Sequence, residues 1–161
     1  MEPTIILITG MSGTGKSSTL DVLSRRGWQA IDTDDGAWTI SGRDGEPIWH
    51  ARRIGDALDA VPPYGRLALA GTVPNQGVFR SRFTAVVLLT APLETMLHRV
   101  ATRTTNPFGS TGDERAKIVE DTAWVLPLLR ASADLELDTS CHSIAEVADR
   151  IEAFVKARRP D

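Results

Sequence analysis

The run TIILITGMSGTGKSS, Thr4–Ser18, restricts this chain more than any other stretch of it. A short β-branched apolar segment, Thr4–Thr9, leads directly into Gly10, Gly13 and Gly15, then Lys16 and Ser17, in the spacing G-x-x-x-x-G-K-S. Such a loop curls so that successive backbone N–H groups converge on phosphate oxygens. Glycine permits the backbone angles and the close approach that this needs. A helix beginning at Lys16 turns its N-terminus on the same anion. Lys16 then reaches the outer phosphates, and the Ser17 hydroxyl serves a Mg2+ ion. The candidate nucleotide-binding residues are Gly10, Ser12, Gly13, Thr14, Gly15, Lys16, Ser17 and Ser18. A chance glycine turn with an exposed lysine is the competing explanation. It does not account for the strand before the loop or the helix after it.

The rest of the chain supplies the sheet that such a strand requires. The stretches Trp28–Ile31, Arg66–Val73, the very apolar Ala85–Ala91, and Asp134–Thr139 read as further short strands. Between them come helical patterns over about 16–26, 48–61, 92–103, 114–133 and 143–158. Pro127 predicts a bend in the fourth of these, and Ser143 with Glu146 forms a capping box at the start of the last. The stretch Ser41–Pro47 reads as loop. Five strands alternating with helices predict an α/β fold, a parallel sheet with helices on both faces, in a single domain spanning residues 1–161.

Composition removes several classes of function. The net charge of −3 and the absence of a Lys/Arg run count against a nucleic-acid groove, so nucleic acid is not expected as a partner. No segment reaches the roughly 20 apolar residues of a membrane span, so no membrane partner is expected. The single cysteine, Cys141, cannot form an internal disulfide, and the first apolar run is too short for a leader. Both point to the cytoplasm. His50, His98 and His142 have no metal spacing. Trp28, Trp38, Trp49 and Trp124 are expected mainly in the core, with Trp38 and Trp49 flanking the region where an acceptor would sit.

The second strand ends in IDTDDG. Ligands of open parallel sheets bind at the carboxyl ends of the strands. Asp32 and Asp34 are two apart, which points them the same way in extended chain. That suits phosphoryl transfer, with Asp32 in the metal shell and Asp34 on the attacking hydroxyl. Asp35-Gly36 reads as the turn closing the strand.

The glycine loop followed by DTD, beginning 16 residues after Lys16, resembles the shikimate kinases. More widely, the chain is similar to the small P-loop kinases of the shikimate, gluconate and nucleoside-monophosphate group. The resemblance covers nearly the whole chain in element order, and the DTD placement is its more specific part. It implies ATP and Mg2+ as cofactors, a small-molecule phosphate acceptor, and a lid at about 103–115. It also implies that Arg52 or Arg53, together with Arg130, grips the acceptor, that Arg103 packs on the base, and that the loop from Ser140 to His142 borders it.

Two departures stand out. The three glycines that those kinases carry after the third strand are reduced to Gly71 in LALAGTVPNQG, and the stretch NPFGSTG lacks the lid arginine. Gly71, Thr72, Asn75 and Gln76 therefore become acceptor-site candidates. The alternative is that the two amide side chains cap their own loop. The reading is an ATP- and Mg2+-dependent phosphotransferase acting on a hydroxyl or phosphate of a small molecule. A nucleoside or nucleotide kinase is one alternative. A nucleotide-dependent switch or adaptor is another, weakened because AVVLLTAP ends without an acidic residue.

Overall fold

The computed structural model describes residues 2–102 and 111–159. Strand β1 (Thr4–Thr9) lies at the centre of the sheet, and its four apolar side chains, Ile5 to Ile8, are all buried. Ile5 and Leu7 point to one face, Ile6 and Ile8 to the other. The chain continues through α1 (Lys16–Arg25), β2 (Gln29–Asp32), β3 (Thr39–Ser41), β4 (Pro47–Trp49), α2 (Ala51–Asp59), β5 (Arg66–Ala70), a 3₁₀ segment (Gln76–Arg82), β6 (Ala85–Thr90), α3 (Leu93–Thr102), α4 (Gly112–Ser132), β7 (Leu135–Asp138) and α5 (Ile144–Arg158). The main sheet is parallel, in the order β2-β5-β1-β6-β7.

Helices cover both faces, as the sequence predicts. Leu20 and Leu23 of α1 and Val147, Ala148 and Ile151 of α5 pack on Ile6, Ile8, Val87 and Leu89. On the other face Ile54 and Leu58 of α2, with Trp49, Phe79 and Phe83, pack on Ile5, Leu7, Leu67 and Leu69. A third cluster joins Met11, Leu88, Met96 and Leu129. The strand order reverses at β1: the chain first builds β2 and β5 on one side of it, then β6 and β7 on the other. That reversal opens a crevice at the carboxyl end of β1, where the glycine loop begins.

Three expectations change. The helix expected over 48–61 begins only at Ala51, and Ile48 belongs to a β3–β4 hairpin that the sequence reading treated as loop. Side chains from elsewhere hold this hairpin. Asn75 accepts the Trp49 N–H at 2.9 Å, and the Trp49 indole donates to the Thr33 hydroxyl at 3.0 Å. The fourth helix runs from Gly112 to Ser132 with Pro127 inside it. Trp124 is not in the core: it is 75% exposed, because α4 turns Ile118 and Leu129 inward instead. The capping box of Ser143 and Glu146 is present. Among the described residues no helix is long and apolar enough to cross a membrane.

Candidate nucleotide and acceptor site

The loop between β1 and α1 has the shape that its glycines dictate. Gly13 has φ +84°, in the left-handed region, and a Cβ there would lie 2.7 Å from the Met96 carbonyl of α3. Gly10 is closed in the same way by the Leu89 carbonyl. Neither position admits a side chain without moving a backbone. Lys16 bends back over the loop, donating to the carbonyls of Gly10 at 2.5 Å and Met11 at 3.0 Å. Thr14 is buried and its hydroxyl donates to the Met11 carbonyl at 2.8 Å. Ser12 is half-buried in the loop, and Ser18 is exposed in the first turn of α1.

The Ser17 hydroxyl donates to the Asp32 carboxylate at 2.7 Å, joining the start of α1 to the end of β2. The other Asp32 oxygen accepts the Asp34 N–H at 3.1 Å. The strand thus stops at Asp32 and turns, so Asp34 is not the extended neighbour that the spacing predicts. It stands exposed on the turn, beyond the buried Thr33. A hydroxyl and a carboxylate in contact, both hard oxygen donors with solvent beside them, fit a Mg2+ ion that keeps several of its waters. Among the described residues no cluster of three or more His, Cys, Asp or Glu side chains forms a metal site of its own.

Of the two readings open for the amides of the loop after β5, the structure shows bonds within the fold. The Thr72 hydroxyl accepts the Gly10 N–H at 3.1 Å and lies 2.9 Å from the Thr9 hydroxyl. Gln76 accepts the Val73 N–H at 2.9 Å and donates to Thr9 at 3.3 Å. Asn75 accepts from Trp49 N–H and donates to its carbonyl at 3.1 Å. Gly71 is needed because a Cβ would strike the Thr33 hydroxyl. These side chains fasten the end of β5 to β1 and to the hairpin.

Of the expected arginines, Arg52 and Arg53 are exposed in the first turn of α2, and Arg53 donates to the Ala37 carbonyl at 3.0 Å. Arg53 lines a shallow recess with Ala37, Trp38, Asp56 and Ala57, next to the Asp34 turn. Arg130 pairs with Glu136 of the edge strand β7 at 2.8 Å, a pair level with Leu88 and Thr9 near the carboxyl end of the sheet. Arg103 lies outside the described residues, as does most of the expected lid. Ser140 follows β7 at the crevice edge; its hydroxyl and N–H both donate to Asp138, and these bonds hold the Asp138 carboxyl below the usual carboxylate range.

The sequence reading passed over Arg99. It donates to the Gly13 carbonyl at 3.1 Å, the Thr139 hydroxyl at 2.8 Å and the Thr139 carbonyl at 3.1 Å. Its signal in the sequence is helical spacing: it follows Met96 by three positions, on the side of α3 that covers Gly13.

Comparison with known proteins agrees with this geometry. The family described as AAA domain matches residues 6–120. A nucleotide-binding protein of Alkalilimnicola ehrlichii is 29% identical over 94% of this chain and 54% of its own length. The shikimate kinase of Mycobacterium leprae is 28% identical over 98% of this chain and 85% of its own. The solved shikimate kinase of Acinetobacter baumannii, in complex with shikimate, superposes with a TM-score of 0.69 at 20% identity, covering 98% of this chain and 96% of that one. The likeness to that structure is one of fold. The chain spans about half the length of the first curated relatives that it matches.

Proposed function

Since the chain belongs to the AAA-domain family, we propose that it is a small-molecule kinase, moving the γ-phosphoryl group of ATP to a hydroxyl or phosphate of an acceptor bound beside Asp34. The observation that carries the reading is the 2.7 Å contact between Ser17 and Asp32, with Asp34 exposed on the turn two residues further on. It sets a carboxylate-bearing turn against the phosphate grip, as transfer to a third molecule requires. The kinase relatives support the same assignment.

In this reading the glycine loop and the N-terminus of α1 hold the phosphates, and Lys16 leaves the Gly10 and Met11 carbonyls to neutralise the outer ones. Ser17 and Asp32 would hold Mg2+, which would draw negative charge from the phosphates. Asp34 orients the acceptor hydroxyl and takes its proton as it attacks in line. Arg53 (or Arg52) and Trp38 border the acceptor.

The test is ATP consumption with Mg2+ across shikimate, gluconate, nucleosides, nucleoside monophosphates, amino alcohols and hydroxylated antibiotics. Stimulation by one of them at least about tenfold over the acceptor-free rate is expected. ATP binding with no stimulation by any of them contradicts the reading and favours a nucleotide-dependent adaptor.

A further inference from the structure

The phosphate grip depends on two residues far from it in sequence. Building on the kinase reading above, we infer that Arg99 and Thr139 are positioning residues that aim the N–H groups of Thr14 and Gly15 into the phosphate cradle. Across a trans peptide the carbonyl of one residue and the N–H of the next point in opposite directions. Arg99 holds the Gly13 carbonyl at 3.1 Å, and that peptide carries the Thr14 N–H. The Thr139 hydroxyl donates to the Thr14 carbonyl at 2.8 Å, and that peptide carries the Gly15 N–H. Both carbonyls are thereby drawn outward, onto α3 and the end of β7, and both N–H groups are turned the other way. Neither N–H donates a hydrogen bond among the described residues.

The two anchors form one unit. The Thr139 hydroxyl accepts from Arg99 at 2.8 Å while donating to Thr14, and Arg99 also caps the Thr139 carbonyl at 3.1 Å. Thr139 is 4% exposed and is fixed in turn by its N–H, which donates to the Thr90 carbonyl at 2.9 Å. A planar guanidinium can serve three acceptors in this arrangement, whereas the single ammonium of a lysine cannot. The glycine-rich sequence makes the loop able to adopt the cradle. The Arg99–Thr139 unit selects that conformation among those that flexible glycines would otherwise sample.

The experiment is calorimetric titration of the full chain with Mg-ATP and, separately, with tripolyphosphate, which has phosphates and no base. The variants are Thr139→Val, Thr139→Ser, Arg99→Lys and Arg99→Ala, each checked for folding by circular dichroism. Thr139→Val and both Arg99 variants should weaken both ligands about tenfold or more, and Thr139→Ser, which keeps the hydroxyl, should bind within about twofold of the unsubstituted chain. Unchanged affinity in Thr139→Val overturns the inference. So does a Thr139→Ser variant as weak as Thr139→Val, which would make the role one of packing. Loss of ATP binding with tripolyphosphate binding retained in the Arg99 variants would mean a contact to the base, and also overturns it. If Arg99→Ala does not fold, the Thr139 pair and Arg99→Lys still decide. An unsubstituted chain that binds neither ligand overturns the kinase reading itself, which separates that failure from a failure confined to the variants.

Discussion

The two sides of the crevice are built on opposite plans. The phosphate side comes from consecutive residues, 10–18, and its chemistry is mostly backbone: N–H groups, a helix terminus and one lysine. In the proposed reading the acceptor side is assembled from two separate stretches, the turn after β2 and the hairpin with the start of α2, and its chemistry is carried by side chains. A phosphate is the same in every nucleotide, so a local backbone cradle suffices for it. An acceptor must be told apart from other small molecules, and that requires side chains brought together by the whole fold.

The sharpest break between the two sides is Lys16→Ala. It removes the charge that the proposed reading sets against the outer phosphates and should lower nucleotide-dependent transfer at least about 10²-fold, measured as phosphate moved from ATP. Transfer at the normal rate would mean that the loop is not the phosphate grip. Next in size is Asn75→Ala. Asn75 satisfies both the N–H and the carbonyl of Trp49, so its loss should cost about 1–3 kcal/mol in denaturant unfolding while ATP affinity stays within about twofold. Unchanged stability with a lost acceptor response would return Asn75 to the acceptor site.

The smallest effect is expected away from both sides, at Asp134. Burial alone would raise its carboxyl, but the Val86 N–H, Arg158 and Arg80 together hold it below the ordinary value. A carboxyl depressed in the folded state stabilises the protein fully above its unfolded pKa, about 3.9. That stability is lost as pH falls through the lower folded value. Asp134→Asn should therefore cost about 1 kcal/mol near neutral pH, the Arg80 side of the pair being solvent-screened. It should also flatten the acid limb of stability against pH and leave ATP binding unchanged. An acid limb as steep as in the unsubstituted chain would contradict the assignment.

Legibility in the sequence follows the same division. The central strands β1, β5 and β6 are readable as short apolar runs, the edge strands β2 and β7 from their places between helical patterns, and the glycine loop because its residues are adjacent. The β3–β4 hairpin was not, since its strands are three residues each and its register depends on Asn75 and Thr33 from elsewhere. The spacing of Ile54, Leu58 and Val61 was extended back over Ile48 for want of a stop signal. Asn75 and Gln76 read equally well as ligand contacts or as caps, and only the positions of Trp49 and Thr9 show that they are bonded within the fold. Arg130 rests on the resemblance alone, and its ion pair with Glu136 is not legible because nothing in the sequence marks the two as partners. For Arg99 the spacing from Met96 gives the helix face, but its partners, Gly13 and Thr139, come from two other segments and are not legible.

The central claim is that gripping the nucleotide and directing the acceptor are separable tasks, assigned to Lys16 with its loop and to Asp34. The most direct measurement compares Asp34→Asn with the unsubstituted chain, in Mg-ATP affinity by calorimetry and in the transfer rate to whichever acceptor stimulates ATP consumption. The account predicts affinity within about twofold and a rate lower by at least about 10²-fold. A variant that transfers phosphate at the normal rate, or that loses ATP binding in step with activity, would contradict it.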